Sequence, residues 1–225
     1  ISRPSISTPR DTESSSDDGK PLLKRLEEVR QEFPFLGDMY KYRNGTIPLD
    51  VYVCDHDMLK SIPEIAQIAH LFEARPAPEP AQFTRQYFDS LVEEANTSLG
   101  YLSGNAFGLE LRSVRSSCPS EGTEGSFTMV VTPLSATDGM YRGKGLFWVR
   151  PDEVFDEHDK GLNVTTSLHE MFHGLIGPHS YSDRSINYEL PPEGWRRVIG
   201  LTPEEADYLG WPRVPPILPP GLAEK

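Results

Sequence analysis

The sequence predicts an α+β fold, and three observations carry the prediction. Two short stretches alternate apolar and polar residues at the period of two that a half-buried strand requires, and two further short stretches are strand candidates. A longer segment between the first two repeats its apolar residues every four positions. A second such segment, richer in apolar residues, stops abruptly on glycine and proline.

Taken in order, Ile47 to Val53 alternates around β-branched residues and reads as the first strand. A helix falls late in Phe83 to Leu99, where Phe83, Tyr87, Leu91 and Ala95 are spaced four apart. Phe107 to Val114 alternates again. Ser126 to Thr132 and Gly145 to Val149 are two further strands, the last ending before Pro151. Over residues 164–176, Val164, Leu168, Met171 and Leu175 recur at i, i+4, i+7 and i+11, an apolar stripe that buries a helix against a core. Asn163, Thr165 or Thr166 can cap its start, and Gly174, Gly177 and Pro178 break it. Leu201 to Leu209 is a final capped helix with Pro203 in its first turn.

These elements fit one domain over residues 21–211. Residues 1–20, rich in Ser, Thr, Pro and Asp, are expected to be disordered or the remnant of a pro-segment or linker, and a chain beginning at Ile1 reads as a processed product. The proline-dense residues 212–225 read as an extended tail. No run of eighteen apolar residues could span a membrane. The net charge of −12 argues against nucleic acid, which wants a basic patch, and the chain is expected to be a monomer.

The chemistry concentrates in His169-Glu170-Met171-Phe172-His173, followed six residues later by His179. Histidines four apart on a helix lie on one face about a turn apart, so both imidazoles can reach one ion. A catalytic zinc commonly takes three protein ligands and keeps a fourth position for water. His179 would be the third ligand, and Glu170 the general base that takes a proton from that water. Other third ligands stay open: Glu189 or Glu193 from a later segment, or Asp183 at shorter spacing. The remaining histidines, His56, His70 and His158, lack ligand spacing with one another.

The three histidines and Glu170 resemble the zinc signature of the metzincin metalloproteases, His-Glu-x-x-His-x-x-Gly-x-x-His. Ser180 fits too, since matrixin-like members often carry His-Ser there. The resemblance covers Ile47 to Trp211. It implies a zincin-like architecture: a mixed, twisted sheet packed on the zinc-binding helix, a cleft beside residues 164–176, and a small, mostly irregular carboxyl-terminal subdomain with a closing helix. It also implies a zinc-dependent endopeptidase acting on protein or peptide bound in extended form. Two departures stand out. The family glycine falls on Ile176, so the turn is expected one residue later, in a left-handed conformation at Gly177. The family's methionine turn has no methionine here; Ser185-Ile186-Asn187-Tyr188 stands at that distance, with Ile186 or Asn187 in the methionine's place. Tyr188 could match the tyrosine that some members aim at the metal or the oxyanion. A non-catalytic zincin serving as a binding or inhibitory module is the alternative, and a structural site closed by Asp183 or Tyr188 a third.

Cys54 ends the first strand and Cys118 follows the second, near enough in this topology for a disulfide. Asn44, Asn96 and Asn163 head glycosylation sequons. Both features lean toward secretion into an extracellular, oxidising setting. The acidic run around Asp156, Glu157 and Asp159 lacks the ordered spacing of a calcium loop and reads as a solvated turn. Tyr181 is a candidate for transition-state stabilisation that reads more simply as a rim or packing aromatic, and Trp195 and Trp211 are expected to anchor the carboxyl-terminal segment to the core.

Overall fold

A computed structural model describes residues 22–61, 83–133, 139–156, 161–180, 182–188 and 198–218. Residues 1–20, His70, His158, Tyr181, Glu189, Glu193 and Trp195 lie outside the described residues, as does part of the acidic run. The helices are α1 (Leu22–Glu32), α2 (His56–Lys60), α3 (Arg85–Ser103), α4 (Pro151–Val154), α5 (Thr165–Leu175) and α6 (Pro203–Leu209). The strands are β1 (Gly45–Val53), β2 (Phe107–Arg115), β3 (Phe127–Val131), β4 (Gly139–Gly143) and β5 (Leu146–Val149), with a short β6–β7 pair at Phe155–Asp156 and Gly161–Leu162.

The five strands form one mixed sheet in the order β2-β1-β3-β5-β4. The first four in that order run parallel; β4 returns antiparallel to β5 and occupies an edge. Alternation sorts the side chains. Leu49, Val51, Met129, Val131, Phe147 and Val149 face the main core, while Val130, Leu146 and Trp148 face a smaller cluster on the other side. Pro48, which lacks an N–H, sits where β1 has only β2 as neighbour, because pairing with β3 begins at Leu49.

α3 makes the crossover between the parallel strands β1 and β2, as such a connection requires. Thr84 caps its start by accepting from the Tyr87 N–H at 3.2 Å, and Gly104 ends it in the left-handed conformation. The helix runs four residues past Leu99; Leu91 and Ala95 of the expected stripe are buried, and Phe88, Val92, Leu99 and Leu102 widen the buried face. The Asn96 side chain pins it to β2, accepting from the Leu109 N–H at 2.7 Å and donating to the Leu109 carbonyl at 2.9 Å.

The expected disulfide is formed. Cys54 and Cys118 pair with a Cα–Cα distance of 5.1 Å, stapling the end of β1 to the chain beyond β2. Trp211 is buried beside Phe107 and Phe172, with its indole N–H donating to the Arg43 carbonyl. It anchors the carboxyl-terminal segment as expected. Residues 212–218 lie back on the body: Ile199 and Ile217 pair through two backbone hydrogen bonds, and Tyr101 donates to the Pro215 carbonyl.

α1 and the strap that follows it, residues 33–43, are additional to the expected elements, although Leu22, Leu26 and Val29 recur at the helical spacing i, i+4 and i+7. Leu22 and Leu26 bury one face of α1, and Arg30 donates to the carbonyls of Leu36 and Gly37. The strap then docks on the end of α5. The Gly37 and Met39 N–H groups donate to the carbonyls of His173 and Gly174 at 2.8 and 2.9 Å. They satisfy carbonyls near a helix terminus that lack a partner within the helix.

Candidate metal centre

Every residue of α5 is buried, so the helix is held on all sides rather than along one stripe. Leu168, Phe172 and Leu175 are fully enclosed, each worth about 1.5–3 kcal/mol of burial. At its start the Asn163 side chain accepts from the Thr165 N–H and hydroxyl, at 3.1 and 2.7 Å, which serves the first turn in place of an N-cap side chain. At its end Ile176 stays right-handed and Gly177 takes a φ of 121°, so the turn falls at the expected residue. A Cβ at Gly177 would meet the Leu26 side chain at 2.5 Å, a second reason for glycine there. Gly174 is a different case. It lies inside the helix, and its missing Cβ makes room for the Tyr141 ring.

The turn returns His179 to the other two histidines. One nitrogen from each of His169, His173 and His179 lies within 4.8 Å of the others. His169 and His173 are buried, whereas His179 is half-buried and forms the solvent-facing side. Asp183 is exposed and stands outside this cluster.

Two backbone carbonyls orient the rings. His169 Nδ1 lies 2.8 Å from the Ile186 carbonyl, and His173 Nδ1 lies 2.7 Å from the Gly177 carbonyl. A carbonyl only accepts, so each Nδ1 carries the proton. In the neutral ring Nε2 then holds the free lone pair, as a metal ligand needs. With His179 the two rings make three converging imidazoles, a donor set that suits a divalent transition metal, zinc among them. The donor set therefore fits the expected ion.

Glu170 is 4% exposed, with Oε1 4.0 Å from His169 Nε2. Its carboxylate lies against the backbone of edge strand β4: a Cβ on Gly139 would stand 2.6 Å from Oε1. Strand edge and carboxylate are thus in direct contact, a juxtaposition that sequence spacing could not show.

Beneath the histidines lies Ser185-Ile186-Asn187, with Ile186 and Asn187 fully buried. Ile186 offers the carbonyl that orients His169. Asn187 donates its amide to the Pro178 carbonyl at 2.6 Å and accepts the Ser180 N–H at 2.9 Å, fixing the two residues that flank His179. Ser185 donates to the Glu205 carboxylate at 2.8 Å. Glu205 is itself buried, and it closes the capping box of α6 with Thr202. Burial raises its carboxyl above the usual range, while hydrogen bonds from Thr202, Ser185 and Ser180 oppose that rise. The Thr-x-x-Glu pattern marks the cap in the sequence; nothing local marks the second role.

Tyr188 is half-buried, its backbone bridged in parallel to Ser180 next to His179. Of the sequon residues, Asn44 is exposed and Asn163 half-buried at the head of α5. Asn96 spends its amide nitrogen on Leu109, the same atom a glycan would take. No protein-family model matches the chain, and no curated protein matches it.

Proposed function

We propose that the chain is a zinc-dependent endopeptidase of the metzincin kind. One observation carries the reading: three converging histidines, two with Nδ1 committed to carbonyls, share a helix or its turn with a buried glutamate that abuts a sheet edge. His169, His173 and His179 would hold the ion. Bound zinc supplies a Lewis acid that polarises a carbonyl and acidifies water.

The protein's own residues supply the rest. β4 offers an edge whose backbone groups can pair with an extended peptide, placing a scissile bond near Gly139 and Glu170. Glu170 takes the proton of the attacking water and delivers it to the departing amine. Its enclosure keeps bulk water from competing for that proton. Asn187 and the Ile186 carbonyl hold the ligands in place, the work expected of a methionine turn, here without methionine. The disulfide and the Asn44 and Asn163 sequons support secretion.

The test is metal analysis of the purified chain together with cleavage of an unstructured protein, with and without a chelator. One zinc per chain and cleavage abolished by the chelator is the expected result. Zinc without cleavage would favour the non-catalytic zincin, and no zinc would overturn both.

A further inference from the structure

We infer that Asp38, on the amino-terminal strap, is a positioning residue that sets the substrate-pairing edge strand β4 against the metal-site helix. The inference rests on the peptidase reading of the site. Asp38 joins three elements. Its Oδ1 accepts from the Tyr141 hydroxyl of β4, and its Oδ2 accepts from the Lys144 N–H in the β4–β5 turn. Its chain neighbours Gly37 and Met39 donate to the carbonyls of His173 and Gly174 on α5. Tyr141 completes the circuit. Its hydroxyl also accepts from the Gly145 N–H at 2.9 Å, and its ring rests in the gap left by Gly174.

Other contacts agree. Phe35 packs so tightly on β4 that a Cβ at Gly143 would meet its own at 2.7 Å. Arg30 locks the Leu36 and Gly37 carbonyls from the other side. The strap is therefore bonded to α5 through its backbone and to β4 through the Asp38 carboxylate. Among the described residues β4 has one strand neighbour, β5, so its placement also depends on side-chain contacts outside the sheet. Gly143, where the strap grips, lies four positions along β4 from Gly139, where Glu170 touches. A loosened grip would blur the register of a peptide lying along β4 and leave the histidines unmoved.

The experiment compares Asp38→Ala, Asp38→Asn and Tyr141→Phe in the full zinc-loaded chain. For a peptide long enough to pair along β4, Asp38→Ala should raise KM about tenfold, the worth of roughly one hydrogen bond. Its kcat should stay within about threefold, and zinc content should not change. Asp38→Asn retains an acceptor for the Lys144 N–H and should fall between Asp38→Ala and wild type. If Asp38→Ala fails to fold, Tyr141→Phe decides, with a rise in KM and little change in kcat. An unchanged KM, or a loss of kcat and zinc in step with KM, overturns the inference. Hydrogen exchange at Gly139–Gly143 provides a readout independent of cleavage. If the wild type cleaves nothing, the peptidase reading fails on that result; unaltered β4 protection in Asp38→Ala then overturns the strap's role separately.

Discussion

Replacing Gly139 by alanine adds one methyl group between the edge strand and Glu170, the proposed general base. Gly139 is not among the positive-φ glycines, so the backbone tolerates alanine and the substitution tests contact alone. The new Cβ would stand 2.6 Å from Glu170 Oε1, 2.7 Å from Cγ and 2.9 Å from Cδ. Ordinary contact begins near 3.4 Å, so the closest approach falls short by ~0.8 Å (3.4 − 2.6). Glu170 is enclosed and cannot swing into solvent, so either it moves within the site or β4 bows outward. Both displace the base from the bound peptide, and a misplacement near 1 Å costs about 10²-fold in rate. Gly139→Ala should therefore lower kcat/KM about 10²-fold with zinc content intact, measured on a fluorogenic peptide beside metal analysis. Adding Gly139→Ala to Glu170→Gln should cost almost nothing more, because both act on one group. Full activity in Gly139→Ala would show that the carboxylate does not work from this position.

The Arg112 guanidinium beside Asp50 holds its carboxyl below the usual range, with Ser113 also donating. A depressed carboxyl stabilises the fold above its unfolded pKa and loses that contribution as pH falls through the folded value. Asp50→Asn should then cost about 1–2 kcal/mol at pH 7, discounted because Arg112 is half-exposed, and the gap to wild type should close below about pH 4. Urea midpoints against pH measure it; a gap constant down to pH 2 refutes it. The disulfide closes a 64-residue separation, so Cys118→Ser should destabilise by about 4 kcal/mol, read by urea unfolding under non-reducing conditions. A change under 1 kcal/mol would count against the loop-entropy origin. His179→Ala should abolish tight zinc binding in a chelator competition while Asp183→Ala leaves it intact. The reverse pattern would reassign the third ligand.

Much of the fold was legible because its signals are local. β1 and β2 show period-two alternation and β3 and β5 are short, largely apolar runs, and the observed bounds of all four match the expected ones within a residue or two. β4 was not legible. Gly-Met-Tyr-Arg-Gly has glycine at both ends because those positions face the Glu170 and Phe35 side chains, so packing erased the pattern. α1 carries a local signal that went unread: Leu22, Leu26 and Val29 recur at i, i+4 and i+7, and the first two are buried. At the candidate site, residue type and spacing singled out His169, His173 and His179, which the structure brings together, with Glu170 beside them. The supports for those residues come from far along the chain. Glu205 reaches Ser185 across twenty positions and Tyr141 reaches Asp38 across 103, and neither pairing leaves a periodic trace.

The central claim is that Glu170 moves the proton while three histidines hold the metal, and one comparison tests it most directly. Wild type and Glu170→Gln would be assayed side by side for zinc content and for cleavage of the same peptide. Equal zinc in both, with cleavage confined to the wild type, is the expected result. Cleavage by Glu170→Gln at the wild-type rate, with zinc still bound, would contradict it.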